Sequence, residues 1–225
     1  MLSFRFFSPS RQPQCTPERI DISNTYYTEG PIRDSSFRKL PNLRYVDLGE
    51  NVYTSTIPPS LSQLPNLQFL YMDNVYFDGV DQDLNFLLPM PQLVEAWMDF
   101  TYFVGGIPAD MGRISTLRSL SLTFCGLEGP IPPSLGNIPN LDRIWLYQNS
   151  LTGNVPEALG NLVRVQVLYV EGNNLVGSMP DSICGRRPPF GILNFLGADC
   201  QPNTGAVACP CCTCCGEDGC SNFSF

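Results

Sequence analysis

The side chains with most to offer a ligand fall in one column of this chain. Asp21, Asp47, Tyr71, Trp97, Ser121, Trp145 and Tyr169 each stand one residue before an apolar position in a series of similar segments. Flanking positions add Phe69, Asp73, Glu95, Asp99, Phe100, Phe124, Asp142, Tyr147 and Glu171, and the column takes both tryptophans of the chain. Tyr and Trp bury a large area at small entropic cost and dominate interface energetics. Interleaved acids suit a ligand that carries Lys or Arg. The predicted contacts are Tyr71, Asp73, Trp97, Asp99, Phe124, Trp145, Tyr147, Tyr169 and Glu171, strongest from Trp97 to Tyr169. The competing reading is that strands favour aromatics and neighbouring rings cover one another.

Catalysis is the rival chemistry. Asp73 and Asp99 could serve as the two carboxylates of a glycosidase. An open, wet surface raises no carboxyl pKa, so these acids are expected to form a solvated face. The chain has no histidine, which removes the commonest general base and the commonest zinc ligand. The chain is therefore read as a non-enzyme, with no cofactor and no metal.

Composition narrows the partners. With 21 Asp and Glu against 13 Lys and Arg, the formal net charge is −8. Nucleic acid needs a basic face, and anionic lipid repels an acidic one. No apolar run approaches the roughly 20 residues of a membrane helix. The start, MLSFRFFSPSR, lacks the uninterrupted core of a secretory signal. Yet 8 of the 10 cysteines crowd between Cys184 and Cys220, a density that points to disulfides and an oxidising compartment. The expectation is a fragment, or a chain read from too late a start.

The elements that position the column come from a repeat. Residues 141–164 read LDRIWLYQNSLTGNVPEALGNLVR, with Leu141, Ile144 and Leu146 spaced L-x-x-L-x-L, then Asn149, Leu151, Gly153, Val155 and Pro156. The frame returns at Val165 and, going back, at Leu117, Leu93, Leu67 and Leu43. Each L-x-x-L-x-L segment predicts a short strand with alternate residues inward. One such strand buries nothing alone, so stacking must make a parallel sheet and a continuous core. The position after the strand reads Thr25, Asn51, Val75, Thr101, Cys125, Asn149 and Asn173. A buried Asn there can bond the backbone of its own and the next coil, making Asn51, Asn149 and Asn173 a structural ladder. Val75 cannot, so the third coil is expected to be the weak one. Ile192, Leu193, Phe195 and Leu196 read as a last, degenerate strand.

This pattern is that of the leucine-rich repeat. The L-x-G-x-I-P element, as in LTGNVPEALGNL and LEGPIPPSLGNI, resembles the plant-type subclass of receptor kinases, receptor-like proteins and polygalacturonase inhibitors, over residues 15–184. QCTPERIDIS resembles the last piece of that subclass's N-terminal cap, and the tail resembles Cys-rich ends of diatom and algal leucine-rich-repeat proteins. The resemblance implies an α/β-type right-handed solenoid, with a parallel β-sheet on the concave face and 3-10 turns and loops on the convex face. It divides the chain into a leader and cap remnant (1–16), about seven repeats (17–184) and a Cys-rich cap and tail (185–225). It implies non-catalytic recognition of a protein, peptide or glycan, extracellular or at the cell surface, as in a receptor ectodomain. An inhibitor of a secreted hydrolase and a structural cell-wall protein are the alternatives.

The tail leaves two readings. As a disulfide cap, Cys209, Cys211, Cys212, Cys214 and Cys215 would pair with Cys184, Cys200 and Cys220, with Cys184–Cys200 the pairing expected. As a thiolate cluster, the run would hold zinc or copper, although paired C-x-x-C knuckles are absent. Cys125 is read as a free, buried structural thiol. Asn222 opens an N-x-S sequon near the end of the chain.

Overall fold

The computed structural model describes residues 17–25, 30–77, 82–199 and 207–212. Eight three-residue strands lie side by side in chain order: β1 (Arg19–Asp21), β2 (Tyr45–Asp47), β3 (Phe69–Tyr71), β4 (Glu95–Trp97), β5 (Ser119–Ser121), β6 (Arg143–Trp145), β7 (Val167–Tyr169) and β8 (Phe195–Gly197). Every neighbouring pair is parallel and in register, so Tyr71 stands beside Trp97, Trp97 beside Ser121, and Ser121 beside Trp145. The solenoid with a parallel concave sheet is therefore observed. β8 is the degenerate last strand: Leu193 and Leu196 are buried, while Ile192 and Phe195 face solvent.

The convex side returns the chain through 3-10 turns at Asp34–Ser36, Leu84–Leu87, Met111–Arg113, Pro133–Asn137 and Glu157–Asn161. Single α-helical turns do the same at Pro59–Ser62 and Asp181–Cys184. These turns stack closely enough that a Cβ on Gly136 would lie 2.0 Å from the carbonyl oxygen of Ala158. The core between the two faces is a continuous column in which Leu43, Leu67, Leu93, Leu117 and Leu141 are fully buried.

The ladder binds each coil to the one before it, not the one after. Asn149 Nδ2 donates to Leu146 and Tyr147 of its own coil and to Leu122 of the preceding one, while its Oδ1 accepts the amides of Cys125 and Leu127. Asn51 makes the same set back to Ile22 and Thr25, and Asn173 donates back to Leu146. Thr101 keeps both roles through one hydroxyl, donating to Met72 and accepting from Val75. Cys125 keeps the donor role, its thiol lying 3.1 Å from the Met98 carbonyl. It is a free, buried thiol, and burial pushes its pKa up. At the third coil Val75 offers no donor to the Leu48 carbonyl, which is bonded from within its own coil by Asn51 Nδ2 at 3.0 Å and by the buried hydroxyl of Tyr53 at 3.3 Å.

A second, lateral sheet is a feature that the repeat pattern did not foretell. Glu128–Pro130, Ser150–Asn154 and Asn174–Val176 pair in parallel, as do Val52–Tyr53 and Tyr76–Phe77. The backbone after the ladder position is extended, and coils stacked at sheet pitch bring these extended segments within pairing distance.

The tail folds back onto this sheet. Ala208 bridges Ser178, its amide donating to Gly177 and its carbonyl accepting from Met179. Two disulfides hold it there, Cys184–Cys211 and Cys209–Cys212. The expected Cys184–Cys200 pairing is thus wrong. Cys209 also pairs inside the run that was expected to find its partners elsewhere, because three residues of turn bring Cys209 and Cys212 to a Cα separation of 5.5 Å. These four cysteines are not available as thiolates for a metal. Cys200, Cys214, Cys215, Cys220 and Asn222 lie outside the described residues.

Replacing Asn149 by Val strands two amides and a carbonyl, and should cost roughly 2–4 kcal/mol. Removing the Tyr53 hydroxyl, with Phe, should cost about 1 kcal/mol. Equilibrium urea denaturation of the two variants checks the order; equal losses would mean that the ladder does not carry the stack.

Candidate functional site

The concave face is acidic at one end and aromatic in the middle. Rings run along it in contact: Tyr45 to Tyr71 tilted, at 5.3 Å between centroids, then Tyr71 to Trp97 at 5.4 Å and Trp97 to Trp145 at 6.2 Å, both edge to face. The last contact spans two strands. It is possible because β5 between them carries Ser119 and Ser121, both buried beneath the rings. Trp97 donates its indole N–H to Ser119 Oγ at 2.9 Å, which fixes its orientation. Both expected readings therefore hold in part: the rings cover one another, yet Tyr71, Trp97, Trp145 and Tyr147 keep accessible surface.

Low side chains on β5 between tall ones on β4 and β6 leave a depression of about 490 Å³. Trp97, Asp99 and Phe100 form one wall and Trp145 and Tyr147 the other, over Ser121 and Thr123, with Arg143 and Val167 beyond. Four of the predicted contacts meet here: Trp97, Asp99, Trp145 and Tyr147. The sequence reading missed Thr123, Arg143 and Val167 and did not see that Ser121 forms the floor. The available signal was small residues in one repeat between bulky ones in its neighbours.

At the rim, Phe100 and Phe124 stack at 5.0 Å with 13° between planes, and Tyr147 meets Phe124 edge-on at 5.4 Å. These phenylalanines are 57% and 43% exposed and have left-handed backbones, φ 59° and 54°. The other coils take the same left-handed turn with Asn24, Glu50, Asn74, Gln148 or Gly172, so the conformation belongs to the repeat and not to the rim.

Two predicted contacts are not part of an open groove. Tyr169 and Glu171 are only 5% and 7% exposed. Asp142 is buried as well and pairs with Arg118 at 2.8 Å and Arg143 at 3.8 Å.

The acids are not a solvated face either. Asp73 Oδ1 accepts the amide of Asp99, and Asp99 accepts the amide of Thr123 and the hydroxyl of Ser121, each at 2.7–2.9 Å. Each carboxylate thus satisfies backbone one coil further on. Burial raises both pKa values. That of Asp73 is pushed up to about 6, with the nearby charges of Asp99 and Asp47 adding to the burial and the Asp99 amide opposing it. The expectation that nothing here raises a carboxyl pKa is overturned, because both carboxyls are largely buried rather than open to water. Burial likewise raises Tyr71, which donates to Glu95 at 2.7 Å, and Tyr147, which feels the charge of Asp99.

Profiles described as Leucine rich repeat match residues 18–74 and, in a second form, 116–138, 140–162 and 164–185, together more than half of the sequence. The chain belongs to the leucine-rich repeat family. No curated protein sequence matches it. Among solved structures, the Arabidopsis receptor kinase HAESA, in complex with the peptide hormone IDA and the co-receptor SERK1, is 27% identical with a TM-score of 0.68, over 75% of this chain and 28% of that one. The ectodomain of the Arabidopsis receptor kinase GASSHO1/SCHENGEN3, in complex with CASPARIAN STRIP INTEGRITY FACTOR 2, is 31% identical with a TM-score of 0.62, over 69% and 18%. The plant peptide hormone receptor RGFR1 shares the fold at 24% identity and a TM-score of 0.68, over 74% and 26%. This leucine-rich repeat chain therefore spans about a quarter or less of these receptors' length. It has the plant-type form of the family, and none of its described helices is long and apolar enough to cross a membrane.

The pKa of Asp73 gives a signed prediction. A carboxyl raised in the fold favours the folded state fully below its unfolded value, about 4, and loses that contribution as pH rises through about 6. Asp73→Asn keeps the acceptor for the Asp99 amide without the charge. It should be more stable than the parent at pH 7.5 by on the order of 1–2 kcal/mol, allowing for solvent screening, and equal to it near pH 4. Thermal denaturation at both pH values checks this; no gain at pH 7.5 would mean the carboxylate is hydrated.

Proposed function

We propose that this chain is a non-catalytic recognition module, part of a cell-surface receptor ectodomain or a secreted relative, whose concave face binds an extended polypeptide. The observation that carries the reading is the depression over β5, where half-buried and exposed rings and a carboxylate converge on the concave surface. Two exposed phenylalanines stacked at its rim support it. The structural neighbour HAESA, in complex with the peptide hormone IDA, supports a peptide over other ligands. The acidic end of the groove favours a ligand with a cationic group. Disulfides in the tail support an oxidising, extracellular setting. A non-catalytic role is supported by the acids, which are engaged in holding backbone amides.

A random peptide library displayed on phage, panned against chain made through a secretory route, tests this. Enriched peptides should bind the parent and lose at least about 30-fold affinity against a Trp97→Ala, Trp145→Ala double variant, the loss expected of central aromatic anchors. Circular dichroism confirms that the variant folds. A library that yields no binder, or binders indifferent to both tryptophans, would overturn the reading.

A further inference from the structure

Three of the exposed large apolar side chains, Val52, Tyr76 and Tyr102, form a row on the flank of the solenoid. Each stands one residue after the ladder position, in three successive coils, and Val52 pairs with Tyr76 in register. They are 46%, 60% and 68% exposed. The ring of Tyr102 carries the row toward the fifth coil, where a Cβ on Gly126 would lie 2.5 Å from it. The fold does not call for these residues. The same position holds Ser150 and Asn174 in coils whose lateral strands also pair. One exposed ring is ordinary; a row in register marks an interaction surface.

Charge says what kind of partner fits. Residues 45–112, most of the second to fourth coils, hold nine Asp and Glu and no Lys or Arg. On the flank itself, the exposed Glu50 stands in the second coil and the exposed Glu128 in the fifth. The segments that build this flank, 50–58, 74–77, 100–108 and 124–132, contain no basic residue. On the adjoining concave face, no ion pair among the described residues neutralises Asp47, Asp73, Glu95 or Asp99. The field over the row is therefore negative and draws a basic partner. Arginine fits better than lysine, because its guanidinium stacks on a tyrosine ring and bonds a carboxylate at once. Three coil pitches, about 14 Å, separate the second coil from the fifth, a span that an extended segment of about five residues crosses.

We propose that this flank docks an extended, arginine-bearing segment of another protein, with an apolar residue against Tyr76 and Tyr102 and arginines to either side. The site is separate from the concave depression and stands whether or not that depression binds a peptide.

Panning a random peptide library on the intact chain tests this, each binding clone then being measured by interferometry against folded variants. One class of clones should carry arginines around an apolar residue. It should bind the Trp97→Ala, Trp145→Ala variant as tightly as the parent and lose at least about tenfold against Tyr76→Ser, Tyr102→Ser. Glu50→Gln, Glu128→Gln should weaken the same clones about three- to tenfold, and higher ionic strength should weaken them too. Clones that need the tyrosines but carry no basic residue would overturn the proposal, as would a library without any clone that needs the tyrosines. If the only binders are those lost on the tryptophan variant, the flank proposal falls and the groove reading stands. Self-association of the parent in sedimentation velocity, abolished by the two tyrosine substitutions, would also overturn it by assigning the row to a second copy.

Discussion

One polar side chain per coil, bonded to its own turn and to the turn before, sets the pitch on which everything else in this structure depends. A strand of three residues cannot hold its place alone, and the apolar column behind it has no directional preference. The ladder supplies the direction. Its chemistry varies from Asn51 to Thr101 to Cys125 to Asn149, yet each keeps a donor aimed at the preceding coil. Where Val75 breaks the series, the Leu48 carbonyl is satisfied from within its own coil, by Asn51 and Tyr53, and the side-chain link between those two coils is missing.

Fixed pitch turns side-chain height into surface shape. Neighbouring strands sit about 4.8 Å apart, so a coil with serines between two coils with tryptophans must leave a hollow. The same geometry explains why Trp97 and Trp145 meet across the low coil. Burial raises Asp73 and Asp99, each of which holds a backbone amide one coil further on. The shape of the candidate site thus follows from the composition of β5 relative to its neighbours.

The sheet, its register and the identity of the concave column were legible from the L-x-x-L-x-L spacing, because strands that share one frame leave one way to stack. Heights along the column were legible too, but their consequence was not: Ser121 reads as an empty position until its neighbours are known to bracket it. The burial of Tyr169 and Glu171 was out of reach, since periodicity tells which face a residue takes and nothing of what lies over that face. The raised pKa of Asp73 was missed for the same reason. Disulfide partners were not legible because Cys184 meets Cys211 only after the tail turns back along the lateral sheet.

The most direct test of this account raises the floor of the hollow. Ser121→Phe puts a ring beneath Trp97 and Trp145, where it must displace both indoles and close the hollow. The binding of a peptide selected on the parent, followed by calorimetry on the parent and on the filled variant, with circular dichroism to confirm the fold, gives the answer. The account predicts a folded variant in which the heat of binding seen for the parent is gone. A filled variant that binds as well as the parent would contradict it, and would place recognition elsewhere on the solenoid.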